Sequence, residues 1–238
     1  MMIDYTHENN LHDLDGPTAA WPKLFPDGPP ASVLDVGCGA GTWLKTAMNA
    51  GVTDVFGIDG VEIPAERLHI PEKQFLCRDL TLPIDLGRRF AVVICLEVAE
   101  HLPASSSGPL ITTLTRHADT VIFSAACPGQ WGQHHVNCQW PEYWQQLFNS
   151  AGFVCEDTLR FQLWDDPKIQ FWYKQNMFIA RRNPEAGKEP RLKAIIHPEM
   201  QALFADFVKQ TENGYMPVGW YFKAPPAAVF RKIVRKCV

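Results

Sequence analysis

The stretch Ser32-Val-Leu-Asp-Val-Gly-Cys-Gly-Ala-Gly-Thr-Trp-Leu44 decides the fold. Val33–Val36 is a short apolar run of the kind that forms a buried strand. An acid-and-glycine turn follows from Asp35 to Gly41, and then an apolar stripe at helical spacing: Trp43, Leu44, Ala47, Met48. A strand, a tight turn and a helix in immediate succession aim backbone N–H groups and a helix N-terminus at a polar ligand. Gly37, Gly39 and Gly41 leave no Cβ where such a ligand must approach the backbone. The spacing is Asp35-x-Gly37-x-Gly39-x-Gly41, with Cys38 inside the turn. A dinucleotide fingerprint, G-x-G-x-x-G, needs its third glycine where this chain has Thr42. An acid within the turn repels a pyrophosphate and suits a ligand that carries a cationic amino group.

Working outward, strands and helices alternate. Strands are expected at Val33–Val36, Asp54–Ile58, Gln74–Cys77, Phe90–Leu96, Thr120–Ser124, Phe153–Leu159 and Gln175–Ala180. Helices are expected near Thr18–Phe25, at Thr42–Ala50, before His117, and at Pro141–Ala151 with proline in its first turn and Gly152 beyond its end. This alternation predicts an α/β fold, a Rossmann-like doubly wound, mostly parallel seven-stranded sheet. Residues 1–31 are polar and rich in proline and read as an N-terminal cap. Residues 32–182 form the core. Residues 183–238 are a C-terminal extension, packed on the core or on a second subunit, with helices expected over Pro198–Gln210 and Ala227–Lys236.

The composition excludes several classes. The 238 residues are 46% hydrophobic and 20% charged, with a net charge of −4, which is ordinary for a globular chain and offers no electrostatic footprint for nucleic acid. No apolar run is long enough to span a membrane, and no secretory signal is visible. Seven cysteines without a C-x-x-C pair suggest reduced thiols and a cytoplasmic setting. His134, His135 and Cys138 are close in sequence but lack a fourth partner for zinc, so no metal is expected.

Ligands in open α/β sheets bind beyond the carboxyl ends of the strands. Asp35, Asp59 and Asp79 stand at three successive strand ends, and the fourth strand ends in Leu96-Glu-Val-Ala-Glu-His101. The acidic glycine turn resembles the first motif, E/D-x-G-x-G-x-G, of the class I S-adenosylmethionine (SAM)-dependent methyltransferases. Glu97-Val-Ala-Glu-His101 looks like the E-V-x-E-H signature of a broad group within them that includes ubiquinone-biosynthesis enzymes. The resemblance implies SAM as cofactor. It places Asp35, Gly37, Cys38, Gly39 and Gly41 around it, Asp59 and Gly60 at the ribose, Asp79 and Leu80 at the adenine, and Leu96, Glu97 and His101 toward the methionyl end. Glu100 and His101 would open the next helix.

The loop after the fifth strand, His135-Val-Asn-Cys-Gln-Trp-Pro-Glu-Tyr-Trp144, looks like the H-V-N-x-Q-x-x-x-Y-W stretch of bacterial methyltransferases associated with glycans and small molecules. A hydroxyl is a poor nucleophile until it loses its proton, and a histidine is the usual acceptor. His135 is the first candidate for a general base and His134 the second. Asn137, Gln139, Tyr143, Trp164 and Tyr173 are candidates for substrate binding, with Arg160, Trp172, Gln175 and Asn176 behind them. The expected activity is methyl transfer to a hydroxyl of a small molecule or saccharide. The alternatives are N-methylation of a small amine, a SAM-binding partner without activity, and a nucleotide-dependent oxidoreductase, which Thr42 argues against. A homodimer is compatible with this reading.

Overall fold

The structure, a computed structural model, describes residues 13–213. The chain divides into two compact units, Met1–Ile195 and Ile196–Val238.

Among the described residues, the first unit holds seven strands: β1 (Ser32–Val36), β2 (Asp54–Asp59), β3 (Phe75–Cys77), β4 (Val92–Leu96), β5 (Thr120–Ser124), β6 (Phe153–Glu156) and β7 (Phe178–Arg182). Six helices accompany them: α1 (Asp15–Leu24), α2 (Thr42–Asn49), α3 (Ser107–His117), α4 (Pro141–Ser150), α5 (Leu159–Leu163) and α6 (Phe171–Asn176). The sheet order is β3-β2-β1-β4-β5-β7-β6. β1 to β5 pair in parallel, while β7 runs antiparallel to both β5 and β6. The second unit contributes α7 (Pro198–Asn213).

Both faces of the central strands are covered, and their side chains alternate strictly between two cores. Leu34, Val36, Val93, Cys95, Val121 and Phe123 join the core that also holds Leu110 and Leu114 of α3 and Trp144 and Phe148 of α4. Val33, Val92, Ile94, Leu96 and Ile122 join the core with Trp21 of α1, Leu44 of α2 and Leu163 of α5. This is why these strands read as continuous apolar runs rather than as alternating ones. The strand order reverses between β1 and β4, the point at which open α/β sheets have their ligand crevice, outside the carboxyl ends of the strands.

Several elements differ from the sequence reading. α1 begins at Asp15, ahead of Thr18, and β4 begins at Val92, after Phe90. β6 stops at Glu156, because Asp157 turns to pair with Arg160, and Leu159 already belongs to a helix. Gln175 and Asn176 end α6 instead of opening the last strand. Ala99–His101 is a 3₁₀ turn of its own, and a second 3₁₀ turn, Ala104–Ser106, leads into α3 at Ser107. The basic helix expected over Ala227–Lys236 lies outside the described residues. Among the described residues, six cysteines are free thiols, and no helix is long and apolar enough to cross a membrane.

Residues 183–195 lie across α4 and β6. Oε1 of Glu189 accepts from Gln145 Nε2 at 3.0 Å, Asn149 Nδ2 at 2.6 Å and Cys155 N at 3.0 Å. Leu192 N donates to Gln145 Oε1 at 2.8 Å.

Candidate active site

The glycine turn is tied to the end of β2. Gly37 N and Cys38 N both donate to the Ile58 carbonyl, at 2.7 and 3.0 Å. Gly39 N donates to Asp59 Oδ2 at 2.7 Å, and the other oxygen of Asp59 accepts from Val61 N at 2.9 Å. Gly37 has φ +83°, and a Cβ there would stand 2.2 Å from Val98 Cγ2. Gly41, also left-handed, caps the N-terminus of α2 without a side-chain bond, which leaves the first N–H groups of that helix without an intrahelical acceptor.

Asp35 is buried at the end of β1, and its Oδ2 has no hydrogen-bond partner. Burial, and then the charge of Asp59, push its carboxyl well above the usual carboxylate range. A buried carboxyl with a vacant acceptor beside a glycine turn suits a ligand that brings its own donor or positive charge. Cys38 is buried against Gly57. Gly60 follows Asp59, and Leu80 is buried just beyond β3. Asp79 is exposed at that strand end, with Oδ1 accepting from Thr81 N and Thr81 Oγ1 at 2.9 and 2.6 Å, bonds that lower its pKa.

The end of β4 carries a polar network. Glu97 has φ +55°, an uncommon conformation for a side chain with a Cβ and one that clusters at functional sites. Its N–H donates to the Ser124 carbonyl at 3.0 Å. Its carboxylate accepts from Gln130 Nε2 at 2.7 Å and from Asn176 Nδ2 at 3.2 Å, and Asn176 Nδ2 also donates to Gln130 Oε1 at 2.8 Å. Burial raises the Glu97 carboxyl and these bonds oppose the rise. The sequence reading missed Gln130 and placed Asn176 at the substrate. The available signal was a set of isolated amides inside otherwise apolar segments.

Glu100 follows in the 3₁₀ turn. It is fully buried, and neither carboxylate oxygen has a hydrogen-bond partner. Burial, and then the neighbouring Glu97, push its carboxyl well up. Its backbone carbonyl accepts from Val136 N at 2.9 Å and Asn137 N at 3.0 Å, which docks the loop after β5 onto this turn. His135 Nδ1 lies 2.9 Å from the Gln130 carbonyl. Only a protonated nitrogen can bond there, so Nδ1–H donates and Nε2 keeps its lone pair. The rings of His101 and His135 meet edge to face with centroids 4.9 Å apart. Burial lowers the pKa of both, that of His101 to about 4. One possible ligand atom from each of Glu100, His101 and His135 lies within 4.8 Å of the others. The fold thus brings together three side chains of metal-ligand type that the sequence reading had not grouped.

The other candidates separate. His134 is exposed, with φ +54°. Asn137 is buried and donates to Ser107 Oγ at 3.1 Å while accepting from Gln139 Nε2 at 3.1 Å, so it braces the loop. Tyr143 packs on the core beside Trp144. Trp164 stacks with Phe161 at 6.1 Å. The Tyr173 hydroxyl accepts from Trp43 Nε1 at 3.3 Å, close to the glycine turn, and burial raises its pKa. Arg160 is buried in an ion pair with Asp157, and Gln175 Nε2 donates to Cys127 Sγ at 3.0 Å.

A family model described as a methyltransferase domain matches residues 11–158, more than half of the chain. The ubiquinone biosynthesis O-methyltransferase of Pseudomonas syringae pv. tomato is 35% identical over 106 residues, which are 41% of this chain and 44% of that protein. The match therefore spans less than half the length of that relative. Among solved structures, a sugar N-methyltransferase from Streptoalloteichus superposes with a TM-score of 0.56 at 16% identity, covering 72% of this chain and 88% of the other. A magnesium protoporphyrin IX methyltransferase from Synechocystis PCC 6803 superposes with a TM-score of 0.53 at 22% identity, covering 71% and 82%. At these identities the two structures share the fold. With the family match over the glycine turn and the strands around it, the chain belongs to the class I SAM-dependent methyltransferases.

Proposed function

We propose that this methyltransferase acts on a hydroxyl of a small molecule or sugar, held in the crevice between Glu97 and His135. The residues present fit SAM. Asp35, whose Oδ2 is unpartnered, stands at the head of a turn whose three glycines all have left-handed backbone. In this reading Asp35, Gly37, Cys38, Gly39 and Gly41 surround the amino-acid end. Asp59 and Gly60 receive the ribose hydroxyls, Asp79 and Leu80 the adenine, and Leu96, Glu97 and His101 lie toward the sulfur. When bound, SAM supplies an activated methyl group on a sulfonium. The chain's own task is then alignment and, for an alcohol, removal of a proton.

The observation that carries the hydroxyl reading is the tautomer of His135. Its Nδ1–H is committed to the Gln130 carbonyl, so Nε2 is free to take the proton as the acceptor oxygen gains its methyl. Asn137 fixes the loop for this with Gln139 bonded to it, whereas Tyr143 packs on the α4 core, Tyr173 beside Trp43 and Trp164 against Phe161. His134 is the less suitable base, since it is exposed and stands in the left-handed region of the backbone. Oxygen as the acceptor atom is further supported by the O-methyltransferases among the relatives. Residues 32–182 would carry the chemistry, with 1–31 as a cap and 183–238 as an extension.

The test is incorporation of labelled methyl across panels of hydroxylated sugars, phenols and amines, with His135→Ala in parallel. A general base contributes about 10²–10⁴-fold. The variant should lose that much turnover while binding S-adenosylhomocysteine (SAH) as the parent does. Turnover within a few-fold of the parent would remove His135 from this role, and incorporation into amines alone would overturn the hydroxyl reading.

A further inference from the structure

Glu100, His101 and His135 converge at the acceptor end of the crevice, and binding of SAM gives Glu100 no duty. Two of the three are neighbours in a single 3₁₀ turn. The third is brought in by the loop after β5, which is fastened through the Val136 and Asn137 N–H bonds to the Glu100 carbonyl. Their ligating atoms lie within 4.8 Å of one another. The outward nitrogen of His135 donates to a backbone carbonyl, the arrangement that fixes a ligating imidazole with its lone pair toward an ion.

Glu100 supplies an independent observation. It is 0% exposed, both oxygens lack a hydrogen-bond partner, and a second carboxylate, Glu97, stands beside it. Among the described residues, neither acid takes part in an ion pair. A carboxyl buried with neither oxygen hydrogen-bonded, and with no cation beside it, is one whose polar atoms a bound metal ion would satisfy.

We propose that Glu100, His101 and His135 hold a divalent transition-metal ion, with its remaining coordination positions open toward the acceptor. Two imidazoles and one carboxylate favour ions such as Zn²⁺, Co²⁺ or Fe²⁺ over Mg²⁺ and Ca²⁺, which prefer all-oxygen sites. This rests on the reading of the crevice as a methyl-transfer site and changes one step of it. With the ion in place, the lone pair of His135 is a ligand. The acceptor hydroxyl is acidified by the ion, and its proton passes to solvent water.

The experiment uses the full chain, freed of metal by a chelator and titrated with Co²⁺, read by visible absorption. Zn²⁺ competition and Mg²⁺ serve as comparison arms. One equivalent of Co²⁺ should bind per chain, Zn²⁺ should displace it and Mg²⁺ should not. Loss of a second-shell partner alone weakens metal sites by about 10–100-fold, so Glu100→Gln and His101→Ala should each weaken binding by at least about tenfold. Far-ultraviolet circular dichroism and the unfolding temperature, measured on each variant, report whether it folds. If Glu100→Gln does not fold, His135→Ala in the loop carries the comparison. No saturable Co²⁺ binding, or equal affinity in all folded variants, would overturn the site. Methyl transfer that persists after chelation with no Co²⁺ bound would overturn it too, while leaving the function as proposed. Tight Co²⁺ binding without methylation of any hydroxylated acceptor would uphold the ion site and sink the functional reading instead.

Discussion

Glu97 concentrates the residue-scale argument. A side chain with a Cβ at φ +55° is held there at a cost of about 1–3 kcal/mol. Two amides from distant parts of the chain, Gln130 and Asn176, grip its carboxylate and each other. Asn176→Leu keeps the volume and removes the donor. A hydrogen bond to a charged group is worth about 1.5–3 kcal/mol, so SAH affinity by calorimetry should fall by roughly tenfold or more. Affinity within twofold of the parent would show that Glu97 does not serve the cofactor. Gly37→Ala makes a second test. The left-handed backbone costs about 1–2 kcal/mol with a Cβ, and that Cβ would meet Val98 at 2.2 Å. Denaturant unfolding should therefore show a loss of at least about 2 kcal/mol once the overlap is included. The turn that holds Asp35, Gly37 and Gly39 was legible in the sequence because a strand–turn–helix is local. The partners of Glu97 were not, since Gln130 and Asn176 meet it only through tertiary packing.

At the scale of elements, segment 183–195 shows what periodicity cannot reveal. It has no regular structure, yet Glu189 draws together α4, β6 and its own turn through four accepted bonds. Although partial burial opposes them, these bonds hold its pKa down at about 2, against an ordinary value of 4.5. A carboxylate whose folded pKa is depressed adds stability above its unfolded pKa and loses it as pH falls through the folded value. Glu189→Gln should therefore unfold at lower temperature than the parent at pH 7. The difference should shrink from about pH 5 downward and vanish near pH 2, as thermal melts across that range would record. A pH-independent difference would mean that the carboxylate charge plays no part. Arg160 in α5 is similarly structural. Its side chain is 1% exposed and bonds Asp157, Gln175 O and Lys193 O. Arg160→Ala strands Asp157 and should destabilise by about 3 kcal/mol or more. The stretch 153–176 misled the sequence reading because a mixed apolar and polar run fits a strand edge and a short amphipathic helix equally well. The Arg160–Asp157 pair resolves it toward helix.

For the whole molecule, two cores share one set of strands, residue by residue, so the first unit should unfold as one cooperative body. SAH at about a hundred times its Kd should add about 2.7 kcal/mol. For a chain of this size that raises the midpoint by roughly 5–10 °C. A dinucleotide that gave the same rise where SAH gave none would contradict the cofactor assignment. By itself the sequence determined the α/β alternation, the glycine turn and the acids at successive strand ends, because hydrophobic period and turn chemistry are properties of neighbouring residues. Tertiary structure alone decided that β7 runs antiparallel between β5 and β6, that amides clasp Glu97, and that Glu100, His101 and His135 meet. Such meetings depend on which strand ends lie side by side, and adjacency in space across a sheet leaves no imprint on spacing along the chain.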